Sequence, residues 1–212
     1  MSTVIPAKAL ENRTLLVVSL VVTLLMGVLF TVLDVLQPAE WLFSLLAFIP
    51  GAISIVTLRA AGLSWDQLYL RPGRISRVGL GILAVTTLLL LPILGGSTSW
   101  QGWHWLPALV YAPASGIAQE LYFRSSLLPA VERAFNGRKT LALLAHSLIF
   151  IGFHLRTFQA IGSLVPSLLV ALVLFLAGCG WGWQVQRDRT VVWSMLQHSF
   201  FLILMSMFGW GQ

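Results

Sequence analysis

The chain has 212 residues, of which 58% are hydrophobic and only 9% charged, and its mean hydropathy is +0.87. Soluble domains carry about 25% charged residues, so a water-soluble core is excluded and the expected fold class is an all-α, polytopic membrane helix bundle. The net charge of +6 would suit nucleic acid, but the basic residues are scattered between apolar runs and form no single patch, which excludes a nucleic-acid partner.

A helix that crosses the hydrocarbon needs about 20 predominantly apolar residues. Seven runs approach this length: 15–35, 41–58, 78–94, 105–128, 141–155, 161–183 and 191–210. Six or eight spans are the neighbouring counts. The polar start "MSTVIPAKALENR" leads into a run that continues past Val32 with no small-residue cleavage signal. That is too long for a signal-peptide core, so the run is expected to remain as a span. With seven spans, every Lys and Arg except Arg156 falls on one side of the bilayer. This asymmetry predicts a cytoplasmic N-terminus and an extracytoplasmic C-terminus. The compact length and lack of organelle signals point to a bacterial inner membrane.

The same topology places Trp41, Trp100, Trp103, Trp105 and Trp210 at the outer interface and Trp181, Trp183 and Trp193 at the inner one. Two cytoplasmic interfacial pieces interrupt the spans. In "AGLSWDQLYLRPGR", Ser64 is placed to cap a short helix and Pro72-Gly73 to stop the chain; in "AVERAFNGRK", Gly137 is a helix stop. The small residues of "AGCGWG" in the sixth run suit close helix packing rather than a site. Cys179 stands alone, which excludes a disulfide within the chain.

The chemistry concentrates in a few polar residues inside the apolar runs. Glu120 and Arg124 are four apart with the acid first, the favourable order for a pair on one helix face. A charge at mid-depth costs at least about 2.5 kcal/mol, so each needs a partner or a cavity. A structural salt bridge is the plain reading of that pair. His154 closes "FIGFH" in the fifth run, one turn after Phe150, and His198 lies in "MLQHSFF" in the seventh. At about 1.5 Å per residue, Glu120, His198 and His154 lie roughly 13, 10 and 21 Å from the cytoplasmic ends of their runs. A shared depth near mid-bilayer follows, with His154 the outlier. His146 is expected to pack or to support the site from behind. Ahead of the acid, Pro113, Ser115 and Gly116 free a carbonyl and leave room for water or a neighbouring backbone.

The strings "QELYFRSSLLPAVER", "FIGFH" and "LQHSFF", in this order, resemble the CPBP family of CAAX prenyl proteases and bacteriocin-processing enzymes, over roughly residues 105 to 210. The resemblance divides the chain into residues 1–104, a cytoplasmic tail with three generic spans, and residues 105–212, a protease core of four. It implies a glutamate-dependent, metal-free intramembrane endopeptidase with no cofactor, acting on a membrane-bound or lipidated peptide in the bilayer. The implied catalytic positions are Gln119, Glu120, Arg124, His154 and His198; Phe150, Leu202 and Tyr122 line the site. In that family a first glutamate and a histidine activate water, and a histidine and an asparagine on the last span hold the oxyanion.

Two positions depart from the pattern. Gln119 stands where the family has its first glutamate, and Leu202 where it has asparagine. An amide cannot act as the base, and a leucine cannot donate to an oxyanion. Three readings accommodate Gln119: Glu120 takes over as base, the chain is a peptide-binding pseudo-protease in an immunity or sorting role, or position 119 is an introduced substitution. A third class of function, a metal site or transporter, would use Glu120, His154 and His198 as two nitrogens and one oxygen around zinc.

Overall fold

The computed structural model describes residues 7–36, 38–95 and 105–207. Among them every regular element is helical and none is a strand. Helix α1 (Ala7–Leu36) is followed by α2 (Glu40–Leu46) and α3 (Phe48–Ala60), which are separated only by Ala47, itself in right-handed helical conformation. Helix α4 (Arg77–Gly95) comes next. A composite helix then joins a wide π turn (Pro107–Tyr111), α5 (Ala112–Tyr122), a second π turn (Phe123–Leu127) and α6 (Leu128–Ala134). Then follow α7 (Lys139–Gly152), α8 (Leu155–Ile161), α9 (Leu164–Asp188) and α10 (Val192–Met207).

Among the described residues each apolar run is largely helical, but the helices differ in length. Thr14–Leu36, Trp41–Ala60 and Leu164–Asp188 are long and apolar enough to cross a membrane, and the pair α7–α8, bent by 52°, makes a fourth. Helices α4 and α10 are apolar but shorter. Length and composition thus support three or four spans, short of the seven expected. Leu164, Val165, Leu168 and Leu169 on α9 and Val17 and Leu25 on α1 are more than half exposed. Apolar side chains turned outward along whole helices need lipid as their solvent. The protein is an integral membrane protein.

Both π turns end two residues before a proline, Pro113 and Pro129. A proline lacks the N–H and its ring crowds the carbonyl four residues back, so the preceding turn widens. In the second of these turns the Ser126 hydroxyl donates to the Leu121 carbonyl (3.0 Å).

The glycines of the sixth run behave as packing residues. A Cβ on Gly178 would sit 3.2 Å from Phe150 and Ser147 of α7, and one on Gly180 would sit 2.5 Å from Thr86 Oγ1 of α4. The interfacial pieces also follow the sequence, with adjustments. Ser64 and Gln67 exchange the reciprocal bonds of a capping box (2.8 and 3.2 Å), yet residues 65–69 form turns rather than a helix. Helix α6 ends at Ala134, and Asn136 and Gly137 both take positive φ, 53° and 79°.

The aromatic belt needs a correction. Trp41, Trp105 and Trp183 are about half exposed or more, but Trp181 is only 2% exposed and lies in the main core cluster with Phe123, Phe150 and Leu83. Two residues apart on a helix, Trp181 and Trp183 lie about 200° apart around the axis, so one turns inward when the other faces lipid. Trp193 donates through Nε1 to the Gly73 carbonyl (3.0 Å). Trp100, Trp103 and Trp210 lie outside the described residues.

Candidate active site

The site begins where α5 meets α10. A Cβ on Gly116 would fall 2.7–2.8 Å from Ser199 Oγ, Cα and N, so only glycine lets the two backbones come this close. Beside it, the Ser199 hydroxyl donates to the Pro113 carbonyl (3.3 Å). The small residues ahead of the acid therefore admit a neighbouring backbone. One turn along α5 from Gly116 comes Glu120, and one residue before Ser199 comes His198.

The consequence is a buried polar contact between distant parts of the chain. Glu120 Oε1 accepts from His198 Nδ1 at 2.8 Å and lies 3.0 Å from Arg124 Nη1. Glu120 and Arg124 are 0% exposed and His198 is 5% exposed. The Arg124 guanidinium is held largely by rings: its carbon lies 4.5 Å from the Phe150 centroid, 5.0 Å from Trp181 and 5.6 Å from Phe123. Aromatic faces are negative, so this cage stabilises a cation that has few hydrogen-bond acceptors. Trp181 also stacks on His198, with centroids 4.7 Å apart and planes 19° apart. Its indole N–H donates to Gln197 Oε1 (2.5 Å), and the Gln197 amide donates to Leu83 O (2.6 Å) and Thr87 Oγ1 (2.5 Å) on α4. The plane of the His198 ring is thus fixed from α9 and α4 as well as from α5. Sequence reasoning missed Trp181, whose inward position shows only once its neighbours are known.

His154 occupies the break between α7 and α8 rather than a continuing helix, and caps α8 at its start. Its Nδ1 donates to the Phe150 carbonyl at 2.8 Å, and its ring meets the Phe150 ring edge-on at 4.6 Å. Phe150 therefore touches both the Arg124 guanidinium and His154. Gln119, half-buried, donates from Nε2 to Ser115 Oγ (3.2 Å), and Leu202 is half-buried one turn after His198. Tyr122 is fully buried and donates to the Thr23 carbonyl of α1 (2.9 Å), which ties α5 to the first span. His146 is fully buried within α7. The structure brings Glu120, Arg124 and His198 into direct contact, places His154 one aromatic ring away, and directs Gln119 to Ser115. Among the described residues no three His, Cys, Asp or Glu side chains gather as a metal-binding set.

The family model for type II CAAX prenyl endopeptidase, Rce1-like, matches residues 100–204. The chain belongs to this Rce1-like family. No curated protein and no solved structure matches it. All the polar residues of the α5–α10 contact lie inside the Rce1-like stretch, whereas α1 to α4 lie before it. Membership suggests a CAAX-type endopeptidase working within the membrane. The chemistry required is water attack on an amide: a base, a site for the developing oxyanion and a proton donor for the leaving amine.

Proposed function

We propose that this Rce1-like chain is an intramembrane endopeptidase that hydrolyses a peptide bond of a membrane-associated, prenylated substrate. The observation that carries the proposal is the 2.8 Å contact between Glu120 and His198, an acid and an imidazole buried together and contributed by helices 78 residues apart in sequence. A salt bridge alone would need only Arg124. The added imidazole supplies a ring nitrogen that can accept or donate a proton beside the carboxylate.

In this reading Glu120, His198 and His154 handle the water and its protons, and Arg124 holds Glu120 ionised and fixed. Phe150 packs between the Arg124 guanidinium and the His154 ring, and Gln119 and Leu202 border the peptide. Residues 105–212 form the catalytic half and the earlier helices its membrane frame. We place the protein in a bacterial inner membrane with the N-terminus in the cytoplasm: if the shorter apolar helices α4 and α10 and the composite helix cross alongside the longer ones, Arg156 is the sole Lys or Arg on the far side.

The test is cleavage by the purified full chain in lipid bilayers. Peptides ending in a prenylated cysteine motif and their unmodified counterparts are incubated with it, and products are mapped by mass. The expected result is a single cut in the prenylated peptide, lost in His198→Ala. Capture of the peptide without cleavage would leave a binding protein instead.

A further inference from the structure

Gln119 leaves open which group removes the proton from water, and the hydrogen-bond geometry answers it for this chain. A carboxylate only accepts, so the 2.8 Å contact to Glu120 Oε1 places the proton of His198 on Nδ1. Nε2 then carries the free lone pair. We propose that His198 is the general base of the reaction and that Glu120 is its positioning residue, fixing the tautomer and balancing the imidazolium that forms. This assignment rests on the endopeptidase reading above and goes beyond it. The family pattern instead gives water activation to a histidine with the glutamate position that Gln119 now fills, and gives the last-span histidine, here His198, the oxyanion.

Three observations favour His198 over the other candidates. Glu120 Oε1 already serves Arg124 and His198, and its unpartnered Oε2 is buried too; the whole side chain is 0% exposed against 6% for that of His198, so water reaches the imidazole more readily. His154 also has its Nδ1 engaged, by the Phe150 carbonyl, and so offers an Nε2 acceptor. However, a carbonyl is a neutral partner, and only His198 has a carboxylate to stabilise the charge it gains. Finally, the Trp181 ring stacked at 4.7 Å fixes the orientation of His198 and can accompany it when it becomes cationic.

The steps balance in protons and charge. Nε2 of His198 takes a proton from water as the water oxygen bonds to the scissile carbonyl carbon, giving a tetrahedral oxyanion beside an imidazolium. The imidazolium then returns that proton from Nε2 to the amide nitrogen as the carbon–nitrogen bond breaks. The oxyanion re-forms a carbonyl and His198 is neutral again. Glu120 stays ionised throughout.

The charged and titratable groups facing His198 are Glu120 from α5, Arg124 from the second π turn and His154 from the α7–α8 break; α9 presents Trp181, and α4 reaches the neighbouring Gln197 through Leu83 and Thr87. The experiment uses the full chain in nanodiscs with nitrogen-15 labelled histidine, His198 being assigned by its loss in His198→Gln. Spectra should show His198 as the neutral Nδ1–H tautomer. The midpoint of its titration should coincide with the limb of the pH–rate profile for cleavage of the prenylated peptide. Glu120→Gln should lower kcat by about 10³- to 10⁴-fold, as when a comparable orienting carboxylate becomes an amide, with KM changed less than about 3-fold, where a purely structural role would move both. A neutral Nε2–H tautomer, or a rate limb that follows another group while cleavage persists, overturns the assignment and leaves the endopeptidase reading standing. Absence of cleavage removes both.

Discussion

At the scale of single residues, Gly116 and Arg124 make the sharpest claims. A methyl group at position 116 meets backbone atoms of Ser199 at 2.8 Å, and backbone cannot swing aside as a flexible side chain would. Gly116→Ala should therefore push α10 off α5, cost about 1–3 kcal/mol in the way overpacked cores do, and reduce cleavage because His198 moves with Ser199. Thermal unfolding in detergent alongside the peptide assay reads both effects. For Arg124, removal leaves the fully buried Glu120 without its cation, and Arg124→Met should cost about 3–5 kcal/mol. The double change Glu120→Leu with Arg124→Met should recover most of that loss, since no lone charge remains, while cleavage stays absent. Recovery of stability without recovery of activity would separate the structural role of the pair from its chemical one.

At the scale of elements, the interfacial segment after α3 is latched to the ends of α6 and α9. The Tyr69 hydroxyl donates to the Glu132 carboxylate (2.7 and 2.8 Å), Gln186 donates to the same carboxylate (2.7 Å), and Arg189 pairs with Asp66 at 2.7 Å. Tyr69 is fully buried with φ 58°, and burial keeps its phenol protonated and donating. Tyr69→Phe should cost about 1.5–3 kcal/mol, as for a hydrogen bond to a charged group, whereas Asp66→Asn, in a pair 37% and 44% exposed, should cost less than about 1 kcal/mol. The hydrogen bond from Arg189 holds the Asp66 carboxyl below its ordinary value of 3.8. A depressed carboxylate contributes stability above its unfolded-state value and loses it as pH falls through the folded-state value. A small loosening confined to pH below about 4 is therefore expected, visible as faster proteolysis of the segment and abolished in Asp66→Asn.

Much at this scale was legible in advance. The apolar runs gave the helices, Gly178 and Gly180 gave tight packing, and Glu120 with Arg124 gave a helix-face pair because their spacing alone puts them together. Other features were hidden because they depend on partners far along the chain. Trp181 looked like a belt residue until α7 and α10 enclosed it. His154 looked helical, whereas the chain turns there and α8 starts. The two π turns follow from prolines whose effect depends on the whole composite helix.

At the scale of the molecule, two stretches distant in sequence, α5 with its π turn and α10, converge on one buried polar cluster, with His154 one aromatic ring away and apolar helices turned toward lipid around them. The charge asymmetry makes a topological claim that can be tested directly. With Cys179 replaced by Ser, a cysteine at Asn136 should react with a membrane-impermeant maleimide only when the cytoplasmic face is open, and labelling from outside intact cells would reverse the orientation. The most direct test of the chemistry is a double-mutant cycle on kcat, in bilayers, with Glu120→Gln and His198→Gln. Groups that act as one unit lose their effect together. The double variant should cleave the prenylated peptide within about 3-fold of the slower single variant; losses that instead multiply would mean that Glu120 and His198 work independently and that their contact is structural only.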